Sequence, residues 1–369
     1  MNTLRRRWLE RVQKENTALN LRESEEGRVI LASTPQTVFL QIHAPCNADC
    51  VFCSKGFGQD LFRLDEWRAS FGSGRTPVLQ RAGKLILTGS GEVLGLSEAP
   101  AILRHFNGEF PHVEKYIATN ASHLSPQMCE LIAGSGSRYT LQLSLHAHDK
   151  PTHELMMRYP AYDRVVENIK RLMGLRPGSG QVKVQFMFVM TTLNADKLPD
   201  FVRWAKDMGA DKVLAGYFYI YEAAQKYLSL YFKPDLANRA IDEARQAADE
   251  LGLEISLPHK FARSTVADAP AVRCREPWHQ VMLSPDGSFL PCDLYGSFQE
   301  SLAEKSFAEV WNGPAYRAIR KAVREGRGCL KDCQRQNPAA VDEWAAHVVH
   351  RHKDEEQILR EYREALRRP

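Results

Sequence analysis

Long apolar runs and an excess of charge of one sign are both missing from this chain of 369 residues. The longest apolar run, Val213 to Tyr221, falls far short of the roughly 20 residues of a membrane span and predicts one buried strand. Lys and Arg outnumber Asp and Glu by only 49 to 45, so charge gives no reason to expect a nucleic-acid or anionic-membrane surface. With 44% hydrophobic and 25% charged residues, the composition predicts a globular chain of roughly two or three domains.

A secretory signal is not visible near the amino end. Three arginines at 5–7 are followed by Trp8-Leu9-Glu10, where the core of a signal peptide would have to be apolar. We therefore expect a cytoplasmic protein. Eight cysteines in a chain of this length do not indicate a small disulfide scaffold, and clustered thiols in a reducing compartment indicate a metal site or catalysis.

Three cysteines stand together near the amino end. Cys46, Cys50 and Cys53 have the spacing C-x3-C-x2-C and directly follow the predicted strand Val38–His43. Thiolates are the ligands that iron–sulfur clusters prefer, and three of them on a tight loop can hold three corners of a cubane. The fourth iron is then open to a small molecule with an amine and a carboxylate. A zinc site and thiols buried by chance are the alternatives, although zinc favours paired C-x2-C units with four ligands.

A second group of cysteines lies near the carboxyl end, at Cys274, Cys292, Cys329 and Cys333. A Pro-Asp-Gly turn at 285–287 predicts a hairpin that brings the first two of them toward each other. Four thiolates satisfy every iron of one cubane and leave no open position. A zinc knot on the same four thiols is the alternative.

Strand and helix patterns alternate from residue 37 to about 250, which predicts parallel βαβ units. The predicted strands are Val38–His43, Lys84–Thr88, Glu114–Ala118, Thr140–Leu145, Val182–Met190 and Lys212–Tyr219. The predicted helices include Ala99–Phe106, Pro126–Ala133, Tyr162–Met173 and Leu198–Met208. Because the chemistry of such folds collects at the carboxyl ends of the strands, the segments that follow each strand hold the candidate site residues.

The loop from Cys46 to Cys53 resembles the cluster motif of the radical S-adenosylmethionine (SAM) superfamily, including an aromatic residue, Phe52, before the third cysteine. The resemblance implies a [4Fe-4S] cluster on the three cysteines, SAM at its open iron, and Phe52 near the adenine of SAM. It also implies the fold class: α/β, with a partial (β/α)6 TIM-type barrel.

Residues 272–335 are similar to the SPASM/twitch extension of these enzymes: twelve residues separate Cys274 from Gly287, and four separate Gly287 from Cys292. The similarity implies an auxiliary [4Fe-4S] cluster, in the shorter, twitch-like form, with ligands Cys274, Cys292, Cys329 and Cys333. We expect four parts: a helical extension at 1–36, the barrel at 37–255, a small C-terminal twitch/SPASM-like iron–sulfur domain at 256–335, and a charged helix at 336–369.

The same resemblance assigns a SAM-binding element after the second strand. The segment Thr88 to Val93 resembles the family's G-G-E-P element, in which backbone and Glu hold the methionyl ammonium, and so points to Gly91 and Glu92. Ser90 and Val93 depart from that pattern. A plain strand-to-helix turn is the alternative at this position.

Three further SAM-binding residues follow from the resemblance. Asn120 lies in a segment similar to Thr-Asn-Gly, Ser144 is a candidate for the ribose hydroxyls, and Arg158 is a candidate for the methionyl carboxylate. A helix cap for Asn120 and a solvated helix position for Arg158 are the alternatives. His146 stands where relatives carry Asp, so it either contacts the substrate or caps the fourth strand.

Candidates for substrate chemistry are fewer. Asp293 directly follows Cys292, and sulfatase-maturing relatives have a Cys-Asp there whose Asp takes the substrate proton; an exposed or Arg-paired Asp is the alternative. Alternation places the tyrosines at 217, 219 and 221 on one strand face, which lines the substrate pocket or packs against the outer helices. Cys129 is expected to be buried and structural, with hydrogen-atom return as the alternative.

The resemblance predicts an enzyme that cleaves SAM reductively to a 5′-deoxyadenosyl radical and abstracts hydrogen from its substrate. The cysteine inventory is similar to that of 2-deoxy-scyllo-inosamine dehydrogenase, so we expect oxidation or epimerisation of a small polar metabolite. A peptide- or protein-modifying maturase is the runner-up, and RNA modification or a non-enzymatic metal scaffold are further alternatives. A small-molecule or short-peptide substrate and an electron donor such as flavodoxin or ferredoxin are the expected partners. Neither a membrane nor a nucleic acid is expected as a partner.

Overall fold

The computed structural model describes residues 3–53, 61–71, 76–178, 180–220, 223–261, 274–284, 287–292, 305–327 and 329. The predictions for Tyr221, Asp293, Cys333 and the charged helix at 336–369 lie outside these residues. Within them, no helix combines the length and the hydropathy that a membrane crossing requires.

A single mixed sheet organises the described part of the chain, with the strand order β7-β6-β5-β4-β3-β2-β1-β8-β9. The strands are β1 Thr37–Gln41, β2 Lys84–Thr88, β3 Glu114–Thr119, β4 Tyr139–Ser144, β5 Val182–Met190, β6 Lys212–Tyr217, β7 Glu254–Ser256, β8 Gln280–Leu283 and β9 Phe289–Leu290. Neighbours from β7 to β8 are parallel, and β9 is antiparallel to β8. The parallel part confirms the partial TIM-type barrel.

Helices connect the strands in the predicted alternation. They are α1 Thr3–Glu25, α2 Leu64–Phe71, α3 Thr76–Arg81, α4 Ala99–Glu109, α5 Pro126–Ala133, α6 Lys150–Met157, α7 Tyr162–Leu175, α8 Leu198–Asp207, α9 Pro234–Leu251, α10 Glu276–His279, α11 Phe307–Trp311 and α12 Pro314–Arg324. Short 3-10 helices lie at Val93–Gly95, Ala195–Lys197, Ala223–Leu228 and Leu230–Phe232.

Strand β5 shows why these residues form a barrel wall. Buried and less buried positions alternate along Val182–Met190, so Phe186 and Phe188 face the helices while Met187 and Val189 line the opposite side. The ring of Phe188 meets that of Phe201 on α8 at a centroid distance of 4.9 Å. Burying a Phe side chain in this way contributes about 1.5–3 kcal/mol.

The predicted strands are confirmed, and the differences lie at their ends. The run from Val213 to Tyr221, expected as one strand, ends as β6 at Tyr217. Its pairing partner β5 ends at Met190, which is in register with Tyr217, so among the described residues the β5–β6 ladder ends at that pair.

The carboxyl-terminal unit is joined directly to the barrel sheet. The predicted hairpin is confirmed as β8 and β9, and β8 pairs in parallel with β1 from Thr37 to Leu40. Arg320 joins this unit to the segment before β1. It is fully buried, and its guanidinium donates to the carbonyls of Pro277, Trp311 and Val29. Its charge also lies 4.3 Å from the ring centroid of Trp311.

Candidate functional site

The three clustered cysteines lie on the loop that follows β1, and neighbouring segments hold this loop through its backbone. The Ala44 N–H donates to the Ser90 carbonyl at 2.9 Å, which continues the β1–β2 pairing beyond the strands. Farther along, the Asp49 and Val51 N–H groups donate to the carbonyls of Met157 and Met156 at the end of α6, each at 3.0 Å. The cysteine loop is therefore fixed between the β2 loop and α6.

Side chains add two further ties to this loop. The buried Gln225, in the 3-10 helix after β6, donates its Nε2 to the Cys53 carbonyl at 2.9 Å and to the Val51 carbonyl at 3.3 Å. Asn47 donates to the Ser122 hydroxyl at 2.9 Å and accepts from Asn120 at 2.9 Å. These contacts join the loops after β1, β3 and β6 at one end of the barrel.

The glycines of the β2 loop are required because the cysteine loop lies directly against them. At Gly91, where φ is +86°, an added Cβ would lie 1.8 Å from the Ala44 carbonyl oxygen. At Gly89 an added Cβ would lie 2.5 Å from the Ile42 carbonyl oxygen. No side chain fits at either position, so the backbones of the two loops can approach closely only with glycine there.

The three cysteines differ in exposure: Cys46 is exposed, whereas Cys50 and Cys53 are partly buried. Burial, followed by the negative charge of Cys53 and Cys46, raises the pKa of Cys50 to about 12. Burial also raises the pKa of the Cys46 thiol. Bare thiolates so close together repel one another, and bound iron removes that repulsion because it ligates the deprotonated form.

A single metal ion fits these thiols less well than a cluster does. Among the described residues, no three His, Cys, Asp or Glu side chains are arranged to hold one metal ion. The three cysteines instead all line one cavity, where a cubane would take one thiolate at each of three iron corners.

Glu92 is buried beneath the same loop and is held by the protein on both carboxylate oxygens. Its Oε1 accepts from the Thr119 hydroxyl at 2.6 Å and the Leu94 N–H at 3.2 Å, and its Oε2 accepts from the Asn120 N–H at 2.7 Å. The pKa of this carboxyl lies above its ordinary value because burial, which raises it, outweighs the three hydrogen bonds, which lower it. Glu92 therefore joins the β2 and β3 loops, and its side chain faces the cavity from that position.

The cavity has a volume of about 370 Å³ and lies at the carboxyl ends of β1 to β5, as the barrel fold predicts. It brings together the three cysteines and five of the six predicted SAM-binding residues: Phe52, Gly91, Glu92, Asn120 and Ser144. These residues, which come from the ends of four strands and the loops after them, thus line one cavity. Their individual roles in SAM binding stay predictions.

The sixth predicted residue, Arg158, lies apart from this group. It ends α6 in a left-handed conformation with φ 46°, is about half exposed, and pairs with Asp49 at 3.5 Å between Nη1 and Oδ2. It is not among the residues that line the cavity. In this structure Arg158 therefore contacts the cysteine loop, and its predicted carboxylate contact stays a prediction.

Several cavity residues were not identified in the sequence. Gln142, Met157, Met187 and Val189 line the wall, and three of them lie on predicted strands at positions that alternation places on the inner face. No sequence pattern indicated Met157 as a cavity residue. Its sulfur lies 3.5 Å from that of Cys50, and the two residues are 107 positions apart in the chain.

The tyrosines after β6 and the lone cysteine lie outside the cavity lining. Tyr217 donates to the His259 carbonyl at 2.9 Å and packs against Phe261, and Tyr219 packs with apolar residues around Val51. Cys129 is fully buried on α5, with its sulfur 3.5 Å from the Leu124 carbonyl oxygen, as expected for a structural residue.

Two cysteines of the second group flank the hairpin in the chain. Cys274 precedes α10 and β8, and Cys292 follows β9, so both stand near the end of the hairpin at which β8 begins. Cys292 is buried, whereas Cys274 and Cys329 are partly exposed. None of these three lines the cavity. Cys333 and Asp293 lie outside the described residues, so their predicted roles stay predictions.

Two family models match the chain. Residues 41–205 match the Radical SAM superfamily, and residues 274–335 match SPASM, an iron-sulfur cluster-binding domain. No curated protein sequence matches the chain. The first match covers the cysteine loop and β1 to β5, which form the cavity, and the second covers the hairpin with the remaining four cysteines.

Solved structures with the same fold include SuiB of Streptococcus suis bound to its precursor peptide SuiA, at 18% identity and a TM-score of 0.60, covering 83% of this chain and 71% of that one. Native anSMEcpe with bound AdoMet matches at 15% identity and a TM-score of 0.59, covering 90% and 96%. BtrN in complex with AdoMet and 2-DOIA gives a TM-score of 0.44 at 11% identity, which does not support the narrower likeness to a 2-deoxy-scyllo-inosamine dehydrogenase.

The family matches, the cysteine loop and the shared cavity lead to one conclusion. The radical SAM domain implies a [4Fe-4S] cluster and SAM, and the SPASM domain implies auxiliary iron–sulfur clusters; Cys46, Cys50 and Cys53 stay the predicted ligands of the first cluster. The protein is an enzyme whose chain carries a radical SAM domain followed by a SPASM iron–sulfur cluster-binding domain.

Proposed function

We propose that the enzyme oxidises a small polar metabolite by abstracting a hydrogen atom from it. The observation that carries this proposal is the cavity, whose lining combines the three cysteines with the hydroxyl- and amide-bearing residues Thr88, Asn120, Gln142 and Ser144. SAM bound at the reduced cluster supplies a 5′-deoxyadenosyl radical. Hydroxyl and amide groups suit both the polar parts of SAM and a substrate rich in hydroxyl or amino groups.

The cysteine inventory supports oxidation as the net reaction. Hydrogen abstraction removes one proton and one electron from the substrate, and completing a two-electron oxidation requires an acceptor for a second electron and a second proton. Four cysteines, at 274, 292, 329 and 333, suffice for one fully ligated auxiliary cluster, which we propose as the electron acceptor. Asp293, next to Cys292 in sequence, is our proposed proton acceptor.

The protein's own residues have two tasks in this reaction. The first is to hold the cysteine loop rigidly, which Gln225 and the Ser90 carbonyl do through its backbone. The second is to exclude water and competing hydrogen donors. An apolar group of Val51, Met156, Phe218, Ile220 and Leu228 packs around the loop and supports that exclusion.

An anaerobic assay tests the proposal. The purified enzyme is reconstituted with iron and sulfide, reduced with dithionite, and incubated with SAM and panels of amino sugars, aminocyclitols and polyols. We expect one panel to raise 5′-deoxyadenosine formation well above the substrate-free rate and to yield a product two mass units lighter. Cys46→Ala is the inactive control. SAM cleavage that no small polar compound stimulates would refute the proposed substrate class.

Modification of a peptide or protein is the second candidate. It is favoured by the fold similarity to SuiB and anSMEcpe, whose structures contain bound peptides. At 18% and 14% identity this similarity concerns the fold alone. We therefore place peptide or protein modification second among the proposed functions. Its discriminator is SAM cleavage that rises with a precursor peptide encoded beside the gene and not with any small polar compound.

We propose a flavodoxin or ferredoxin as the physiological electron donor, because reductive cleavage of SAM consumes one low-potential electron per event. A cytoplasmic location is part of the same proposal, since a reducing compartment keeps unligated thiols available for cluster assembly. Replacing dithionite by reduced flavodoxin should support SAM cleavage. Absence of turnover with every flavodoxin and ferredoxin of the source cell, while dithionite works, would contradict the donor class.

A further inference from the structure

Helix α6 ends against the cysteine loop and holds that loop on both sides of Cys50. The Asp49 N–H donates to the Met157 carbonyl and the Val51 N–H donates to the Met156 carbonyl, each at 3.0 Å. These two carbonyls belong to the last turn of the helix, where no helical N–H remains to pair with them. The main chain of α6 therefore fixes the residues before and after Cys50, and with them the position of Cys50 itself.

The side chain of Met157 adds a contact at the sulfur of Cys50. Its Sδ lies 3.5 Å from the Cys50 Sγ, and the Cys50 thiol donates to it. Met157 is buried, with 2% of its surface exposed, and it lines the cavity beside the three cysteines. A thioether sulfur is a weak hydrogen-bond acceptor and has no proton to donate. A deprotonated Cys50 would therefore face an atom that gives it no hydrogen bond.

Several backbone N–H groups around Cys50 are directed to oxygen atoms. Those of Asp49 and Val51 donate to the end of α6, and that of Cys53 donates to the Cys50 carbonyl at 3.0 Å. Three donors of the loop are thus engaged with carbonyl oxygens, while Met157 covers one side of the Cys50 sulfur without adding a donor. On that side the sulfur has an apolar and polarizable neighbour.

This neighbour bears on the reduction potential of the cluster that the radical SAM domain implies. One-electron reduction adds a negative charge to the cluster and its thiolates. Hydrogen bonds to the sulfurs and contact with water stabilise that charge, and both therefore raise the reduction potential. Reductive cleavage of SAM requires a low potential, so a ligand sulfur that is shielded from donors and from water suits the first cysteine group.

We propose that Met157 is a positioning residue that keeps hydrogen-bond donors and water away from the Cys50 sulfur and thereby holds the reduction potential of the first cluster low. Its carbonyl fixes the loop at Asp49, and its thioether covers the sulfur of the next residue. The inference rests on the cluster, which the radical SAM domain implies, and not on the substrate class proposed above.

Two substitutions separate the effect of a donor from the effect of packing. Met157→Leu keeps the volume and the apolar character of the side chain, and such exchanges are tolerated in cores. Met157→Gln has a side chain of similar length and brings an amide N–H donor toward the Cys50 sulfur. Met208→Gln, at the end of α8 and outside the cavity lining, is the matched control.

Midpoint potentials are measured by anaerobic redox titration of the reconstituted enzyme, following the electron paramagnetic resonance signal that responds to SAM. We expect Met157→Gln to raise the potential by about 59 mV, a tenfold change in the ratio of reduced to oxidised cluster. We expect Met157→Leu and Met208→Gln to change that ratio by less than about threefold. An unchanged potential in Met157→Gln overturns the proposal. So does an equal rise in Met157→Leu, because it would assign the effect to packing.

Carbon NMR of enzyme labelled in its methionine methyl groups keeps the proposal testable if Met157→Gln does not fold. The Met157 resonance is identified by its absence from Met157→Leu. We expect reconstitution with iron and sulfide to shift or broaden it and to leave the Met208 resonance unchanged; a Met157 resonance that the cluster does not affect overturns the proposal. Failure of the proposed substrate class is distinguishable, because neither measurement uses a substrate. Enzyme that takes up no iron would refute both this inference and cluster chemistry at the site.

Discussion

The two cysteine groups differ in what surrounds them. Cys46, Cys50 and Cys53 lie on one loop that is fixed from α6, the β2 loop and Gln225, and all three line a cavity. Cys274 and Cys292 flank the hairpin, Cys329 follows the end of α12 by five residues, and none of the three lines that cavity. A cubane on the first group would have one iron without a thiol, whereas the four predicted ligands of the second group, with Cys333, would satisfy every iron.

The comparison teaches that position in the fold, and not ligand type, separates a reactive cluster from an auxiliary one. The first group lies at the carboxyl ends of parallel strands, where residues from several loops line one cavity. Of the second group, Cys274 precedes β8 and Cys292 follows its partner β9, so these two lie toward the start of β8, a strand that pairs in parallel with β1. The first group instead follows the end of β1.

Removing one thiol from the first group should have the largest effect. Cys46→Ala leaves two ligands for a cluster that needs three, so SAM cleavage should fall to background and about four of roughly eight iron atoms per chain should be lost. Iron analysis and 5′-deoxyadenosine measurement check this. Cys129→Ala, which removes a buried cysteine outside the cavity lining, is the control and should keep its iron. Cys46→Ala enzyme that still cleaves SAM would remove the distinction between the two groups.

Removing one thiol from the second group should separate the two sites. We expect Cys292→Ala to lose about four iron atoms while it still cleaves SAM to 5′-deoxyadenosine without substrate oxidation. The reason is that Cys292 lies outside the SAM cavity. Loss of SAM cleavage in a folded Cys292→Ala protein would mean that the two sites are not independent.

Gly91→Ala should displace the cysteine loop without changing a ligand. The new Cβ would lie 1.8 Å from the Ala44 carbonyl oxygen at a φ of +86°. We expect a loss of at least about 1–2 kcal/mol in the free energy of unfolding and poor cluster retention. Gly108→Ala on α4 is the matched control, since nothing lies within 4 Å of its added Cβ, and it should change stability by less than about 1 kcal/mol. Equal effects in denaturant titration would show that the close approach does not matter.

Gln225→Leu should weaken the hold on the first group alone. The substitution removes the hydrogen-bond donor to the Val51 and Cys53 carbonyls. A buried acceptor left unsatisfied lowers the free energy of unfolding by about 1–3 kcal/mol. We expect faster release of the first cluster's iron to a chelator, with the second cluster unaffected. Gln246→Leu, which removes an exposed bond to Glu250, is the matched control. Identical release rates in the two variants would exclude a role for Gln225 in fixing the loop.

Acid should destabilise the fold through a buried histidine of α6. Burial lowers the pKa of His153 on α6 to about 4, below its ordinary value of 6.5. The unfolded chain therefore binds the proton first, and stability is lost as the pH falls from 6.5 toward 4, by about 1–3 kcal/mol. His153→Phe should reduce this slope. Thermal unfolding at pH 7 and pH 4.5 gives the comparison, and an unchanged slope in His153→Phe would assign the acid sensitivity to other groups.

The sequence allowed the barrel and the first site to be predicted because both depend on local patterns. Alternation along β5 and the spacing of Cys46, Cys50 and Cys53 are properties of short segments. The contacts of Gln225 and Met157 with the cysteine loop join residues more than 100 positions apart, and no short segment contains that information. Arg158 shows a second limit: its left-handed C-cap turns the side chain toward Asp49, a direction that spacing alone does not give.

The central claim is that the first cysteine group holds a cluster whose open iron binds SAM. It is tested most directly by electron paramagnetic resonance of the dithionite-reduced Cys274→Ala/Cys292→Ala variant, which should retain only the first cluster. We predict a [4Fe-4S] signal that changes when SAM is added and disappears when Cys46→Ala is introduced as well. A reduced-cluster signal that SAM leaves unchanged at saturating concentration would contradict the account.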